Sequence, residues 1–248
     1  MIDVLIFILG LIIGSFLNVC IYRLPQNKSI VNPPSHCTTC NTCLKPWDLI
    51  PVISFLLSRG RCRYCGTAFS PRYALVELLT ANLFVWCFQI YGPSPEFVKA
   101  IILTSFFIVI TFIDYDHQLI LDKVLIYLSI AGVVINLWLG SVSPLDMIIA
   151  SLLGGGLLLI IALVSRGGMG GGDIKFAAAL GLCFGWQHLS LTLLLSFILG
   201  GIGGVLLIVC KIKSRKDFIP FGPFIALGAL FSLLYGYSMI HWYISKLS

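Results

Sequence analysis

Long stretches without a charged side chain dominate this 248-residue chain: 4–22, 78–95, 100–113, 124–144, 147–165, 176–187, 189–210 and 218–240. Covering the roughly 30 Å apolar core of a bilayer takes about 20 helical residues, and most of these runs are near that length. With 58% hydrophobic and 10% charged residues, the composition excludes a soluble globule of this size. The sequence therefore predicts an all-α polytopic membrane protein of about eight transmembrane helices.

Threading the runs alternately with Met1 outside gathers the basic residues on one side. Arg23, Lys28, Lys45, Arg59, Arg61, Arg63 and Arg72 share the first inside loop. Lys123, Arg166, Lys175, Lys211, Lys213, Arg215 and Lys216 follow inside, leaving only Lys99 and Lys246 outside. The positive-inside rule then sets an outside N-terminus and a cytoplasmic loop, and the net charge of +6 reflects topology rather than nucleic-acid binding. The first span has no basic n-region and no small-residue cleavage site, so it is not a cleavable signal. The expected organisation is a first transmembrane helix at 1–22, a cytoplasmic loop domain at 23–72 and a membrane helical bundle at 73–248. The glycine clusters at 154–156 and 200–204 read as close helix packing through small residues.

The loop carries Cys37-Thr38-Thr39-Cys40 and Cys62-Arg63-Tyr64-Cys65, two C-x2-C pairs 21 residues apart. That pattern offers four thiolates to a tetrahedral zinc ion, and a loop facing the reducing cytosol is a poor place for disulfides. Cys43 follows Cys40 by the same step, so Cys40 and Cys43 form an alternative first pair. Cys20, Cys87, Cys183 and Cys210 lie in or beside apolar runs and read as buried hydrophobes. A loop of about 50 residues buries little core, and a structural metal supplies the missing stability.

Asp114 and Asp173 are the acids that most need explaining, because carboxylates near lipid are expensive. The third span enters near Glu96 and reaches Asp116 after about 20 residues. Counting back the same length from Gln187 along the sixth reaches Gly168, so both acids lie roughly one turn inside the same boundary. Two carboxyls that meet and share a proton make an aspartic-protease dyad. The glycines at 170–172 would let backbone or substrate approach Asp173 closely. The bland alternative has Asp173 capping its helix and Asp114 ending another, paired with Lys123 or Lys175. The histidines, His36, His117, His188 and His241, have no evident nucleophile beside them.

Gly14-Ser15-Phe16-Leu17-Asn18-Val19, Tyr22-Arg23-Leu24-Pro25, the C-x2-C pairs, Asp48-Leu49-Ile50-Pro51-Val52, Gly60-Arg61-Cys62, Ser70-Pro71-Arg72-Tyr73, Val76-Glu77-Leu78, Phe112-Ile113-Asp114 and Gly170-x-Gly172-Asp173-x-Lys175 follow one another along the chain. In that order they resemble the type 4 prepilin peptidases, members of the GxGD intramembrane aspartic proteases. The resemblance implies that Asp114 and Asp173 are the catalytic pair. It also selects Cys40 over Cys43, giving Cys37, Cys40, Cys62 and Cys65 as the structural Zn2+ ligands. Leu121 departs from the family, where many relatives have proline.

The resemblance further implies a multi-pass protein of the bacterial cytoplasmic (inner) membrane whose active site faces the cytoplasm. There it would cleave the basic leader of prepilin or pseudopilin substrates. S-adenosylmethionine would serve as methyl donor for N-methylation of the new terminus. Pili, type II secretion and competence all use such processing. Two other classes compete: a proton- or cation-coupled transporter with a zinc-stapled cap, and a non-enzymatic scaffold that docks partners on its loop.

Overall fold

The computed structural model describes residues 1–165, 168–211 and 219–247. Arg166, Lys213, Arg215 and Lys216 of the charge asymmetry lie outside the described residues. The chain divides into two compact units, Met1–Phe97 and Val98–Ser248.

In the first unit, α1 (Ile2–Arg23) packs along α3 (Arg72–Tyr91). Their contact is close because Gly14 has no side chain: a Cβ there would lie 2.8 Å from the Glu77 Cα. Asn18 Nδ2 donates to the Tyr73 carbonyl at 2.9 Å, a polar tie between two apolar helices. Between them runs the loop, with a 3-10 turn at Pro46–Leu49 and a short α2 (Ile53–Leu57). Its start is fixed by Arg23, which donates to the carbonyls of Ser29 and Pro34.

The remaining helices are α4 (Pro95–His117), which begins at the end of the first unit, then α5 (Asp122–Leu139), α6 (Pro144–Val164), α7 (Gly171–Val209) and α8 (Gly222–Leu247). Pro144 at the first turn and the Ser143 hydroxyl, which accepts from the Asp146 N–H at 3.2 Å, start α6. Within the second unit α7 packs against α5, α6 and α8. Phe107 of α4 meets Phe176 and Phe184 edge-on, with ring centroids 6.4 and 6.3 Å away.

Among the described residues seven helices are long and apolar enough to cross a membrane. One of them, α7, has 39 residues, about 58 Å of helix against an apolar thickness of roughly 30 Å. It is two helices. Gly185, at φ 71° and ψ 176°, breaks it into 171–184 and 186–209. The chain doubles back there: a Cβ on Gly154 would touch both Leu189, at 2.7 Å, and the Ala177 carbonyl, at 3.1 Å. The eight segments expected from the apolar runs are thus present.

Both ends of the break are capped. Asn136 Nδ2 donates to the carbonyls of Leu182 and Cys183 at 2.9 and 3.0 Å, groups a helix end leaves without partners. Asp146 Oδ1 accepts from the Trp186 N–H at 3.0 Å on the other side. Lys99 Nζ in turn donates to Asn136 Oδ1 at 2.7 Å.

Candidate active site and metal centre

Asp114 is three residues from the end of α4, and Asp173 is in the first turn of α7. Each is only 5% exposed, unusual for an aspartate at a helix end. Asp173 lies within electrostatic reach of Asp114, so the fold brings together the two acids that the depth count had paired. Neither takes Lys123 or Lys175 as partner. Lys175 Nζ instead grips both oxygens of Asp122 at 2.8 Å on the exposed surface.

Backbone amides hold the pair. The Gly222 N–H, at the start of α8, donates to Asp114 Oδ2 at 3.1 Å. Asp173 accepts from the Gly170 backbone. Ile120, in the link between α4 and α5, is 7% exposed and wedges between the glycines beside each acid. A Cβ on Gly172 would lie 2.9 Å from its Cβ, and one on Gly222 3.1 Å from its Cδ1. A Cβ on Gly171 would meet nothing within 4 Å, which leaves open space next to Asp173. The arrangement is two buried acids with no basic partner among the described residues, one fixed by an amide from a distant helix, with an open approach.

Gly222 and Ile120 were not singled out from the sequence. The turn signal Pro220-Phe221-Gly222-Pro223 was visible inside the last apolar run. What it caps was not.

In the first unit, the sulfurs of Cys37, Cys40, Cys62 and Cys65 all lie within 4.8 Å of one another. Cys37 Sγ and Cys65 Sγ are 3.8 Å apart. A tetrahedron of thiolates at about 2.3 Å from zinc has edges of about 3.8 Å, so the Cys37–Cys65 pair already has that spacing and the whole set closes on such an ion with shifts of about 1 Å or less. No disulfide joins the described cysteines. Cys43 is exposed and stands outside the cluster, in the bridge with His36.

Two matching turns build this centre. The Cys37 and Cys62 amides donate to the carbonyls of Thr42 and Thr67 at 3.0 and 2.8 Å. Asn41 and Gly66, both at positive φ, donate back to the Cys37 and Cys62 carbonyls. The pattern C-x2-C-x-T thus recurs, extending each cysteine pair to a six-residue turn. The threonines matter chemically: Thr42 Oγ1 is 3.3 Å from Cys40 Sγ, and Thr67 Oγ1 is 3.4 Å from Cys65 Sγ. Hydroxyl and then backbone donors of these threonines pull the Cys40 and Cys65 thiols below their usual range. Backbone donors from Cys40 and Thr39 do the same for Cys37. Asp48 buttresses the second turn, accepting from the Tyr64 hydroxyl at 3.0 Å and pairing with Arg63 Nε at 3.3 Å. That bond to Asp48 holds the Tyr64 proton and pushes its hydroxyl above the ordinary tyrosine range.

Comparison with known proteins covers both units. Residues 8–91 match the Bacterial Peptidase A24 N-terminal domain, and residues 101–205 match the Type IV leader peptidase family. A prepilin leader peptidase/N-methyltransferase of Aeromonas salmonicida (strain A449) is 36% identical over 98% of this chain and 94% of its own length. One of Bacillus subtilis (strain 168) is also 36% identical, over 97% of each chain. The corresponding protein of Legionella pneumophila is 35% identical over 95% of this chain and 92% of its own. No solved structure matches. With both of its units matched in order and relatives aligned along almost its whole length, the chain belongs to the type IV leader peptidase family.

Proposed function

We propose that this protein cleaves the short basic leader from type IV prepilins and pseudopilins, using Asp114 and Asp173, and N-methylates the residue it exposes. The observation that carries the reading is the burial of these two acids together, without a basic partner among the described residues, inside the segment matched by the leader peptidase family. A transporter finds no support among the relatives. A scaffold would have no need of two buried acids.

In cleavage, one carboxylate takes a proton from water while the other, protonated, donates to the scissile carbonyl. The water oxygen bonds to the carbonyl carbon, and the resulting diol collapses as the C–N bond breaks and the nitrogen gains a proton. No acyl-enzyme forms. The Gly222 amide supports this by fixing one oxygen of Asp114, and the open space at Gly171 suits an extended substrate backbone.

Cys37, Cys40, Cys62 and Cys65 would hold Zn2+ as a staple, since four thiolates leave no open position for catalysis. S-adenosylmethionine, when bound, supplies the methyl group for the freed amine. The basic loop supports, by the positive-inside rule, an N-terminus outside and both sites at the cytoplasmic face of a bacterial inner membrane. Incubating the purified protein with a prepilin tests the reading. A shortened pilin on a gel supports it, and an intact prepilin rejects it.

A further inference from the structure

Two buried charged side chains in the first unit have no opposite charge beside them among the described residues. Arg23 is 7% exposed, and its guanidinium donates to the Ser29 carbonyl at 3.0 Å and the Pro34 carbonyl at 3.4 Å. Those dipoles satisfy its hydrogens but leave its charge unmatched. Glu77 is also 7% exposed; its Oε2 accepts from the Val52 N–H at 2.7 Å, and its carboxylate also meets the Ser15 hydroxyl. No cation pairs with it among the described residues, and it does not pair with Arg23. Keeping two unmatched ions out of water is costly, and a chain that keeps them has a use for them.

Both border one cavity of about 210 Å3 enclosed by α1, α3 and the loop, with Tyr22, Phe55 and Tyr73 also on its wall. Asp48 borders it too, but its charge is already taken by Arg63. The loop closes on this cavity under strain. Val52, a β-branched residue, is held at φ 60°, and Glu77 accepts its amide. Arg61 also borders the cavity, so among the described residues it offers two cations without an ion pair, Arg23 buried at the end of α1 and Arg61 on the loop, against one such anion, Glu77. With its aromatic walls the cavity suits a zwitterion that carries a flat ring and sets its carboxylate toward the guanidinium groups.

We propose that this cavity receives S-adenosylmethionine, Arg23 taking its carboxylate and Glu77 its ammonium or sulfonium charge. The inference rests on the methyltransferase reading above and gives that activity a place within the first unit. The tyrosines and Phe55 offer faces for the purine and for the sulfonium.

Equilibrium dialysis of radiolabelled S-adenosylmethionine against the full-length protein in detergent tests it. The wild type binds the donor. Glu77→Gln, which keeps an acceptor for the Val52 amide but not the charge, binds about tenfold more weakly. Methylthioadenosine, which has no amino-acid end, competes about tenfold less well than S-adenosylhomocysteine, a comparison that needs no variant. Undiminished binding by Glu77→Gln, equal competition by the two compounds, or donor photo-crosslinked to the 98–248 segment overturns the proposal. Leader cleavage is read on the same wild-type preparation. Cleavage without donor binding overturns this inference alone. Donor binding lost in Glu77→Gln supports the pocket even if the wild type cleaves no prepilin, a result that would count only against the peptidase reading.

Discussion

The amide of Gly222 donates to Asp114 Oδ2 at 3.1 Å, joining the start of α8 to the end of α4 across 108 residues. A Cβ on Gly222 would lie 2.5 Å from that oxygen, so even alanine must displace the carboxylate or the helix. Displacements of about 1 Å at a reacting group cost about a hundredfold in rate. Gly222→Ala is therefore expected to lose leader cleavage to about that extent while still inserting in the membrane. A time course on membranes with matched protein amounts checks this.

The metal centre predicts a division among neighbouring cysteines. Serine at Cys37, Cys40, Cys62 or Cys65 removes one of the four clustered sulfurs and should lower zinc content. Cys43→Ser should leave zinc near one ion per chain, because Cys43 is exposed and outside the cluster. Metal analysis of the purified variants decides. Zinc lost in Cys43→Ser but kept in Cys40→Ser would reverse the assignment.

Gly185 occupies a backbone region, φ 71° and ψ 176°, open essentially to glycine alone. Gly185→Ala should cost about 1–3 kcal/mol and lower the thermal midpoint in detergent. The control is Gly201→Ala, where a Cβ would meet nothing within 4 Å. Equal midpoints for the two variants would remove the case for a strained break.

Because α7 is two helices, Gly140 and Gln187 belong to one membrane face and Lys211 to the other. Reporters fused at Gly140 and Gln187 should read outside, and one fused at Lys211 should read cytoplasmic. A cytoplasmic signal at Gly140 would break the eight-segment arrangement.

Much of this was legible in the residues. Charge-free runs locate spans because lipid leaves the chain little choice, and the separate runs at 176–187 and 189–210 anticipated the break that a single 39-residue helix conceals. The expectation that Asp114 and Asp173 share one depth followed from the rise of a helix and the thickness of a bilayer, and the structure sets the two acids near each other. What stayed hidden depends on neighbours distant in sequence. Gly222 has no ionisable group to announce its role, and only the packing of α8 brings its amide to Asp114. Asn136 reads as one polar residue in an apolar run until the freed carbonyls of Leu182 and Cys183 are seen beside it. Thr42 and Thr67 were readable as a repeat, but their value lies in the hydroxyls and amides they set beside Cys40 and Cys65, which lower those thiols and which spacing does not reveal.

The central claim is that Asp114 and Asp173 act as one unit. Asn has nearly the shape of Asp but cannot ionise or share a proton, so Asp114→Asn and Asp173→Asn should each abolish leader cleavage while the protein still inserts and holds zinc. The double variant should cost little more than either alone, because groups that act together are not additive. Asp122→Asn is the comparison, since it loses only an exposed pair with Lys175, worth about 0–1 kcal/mol, and should keep most activity. Cleavage of a prepilin by the four variants, on membranes with matched protein amounts, is the most direct test. Loss in both single variants and retention in Asp122→Asn is the expected result, and full cleavage by either Asp114→Asn or Asp173→Asn would contradict the aspartyl dyad.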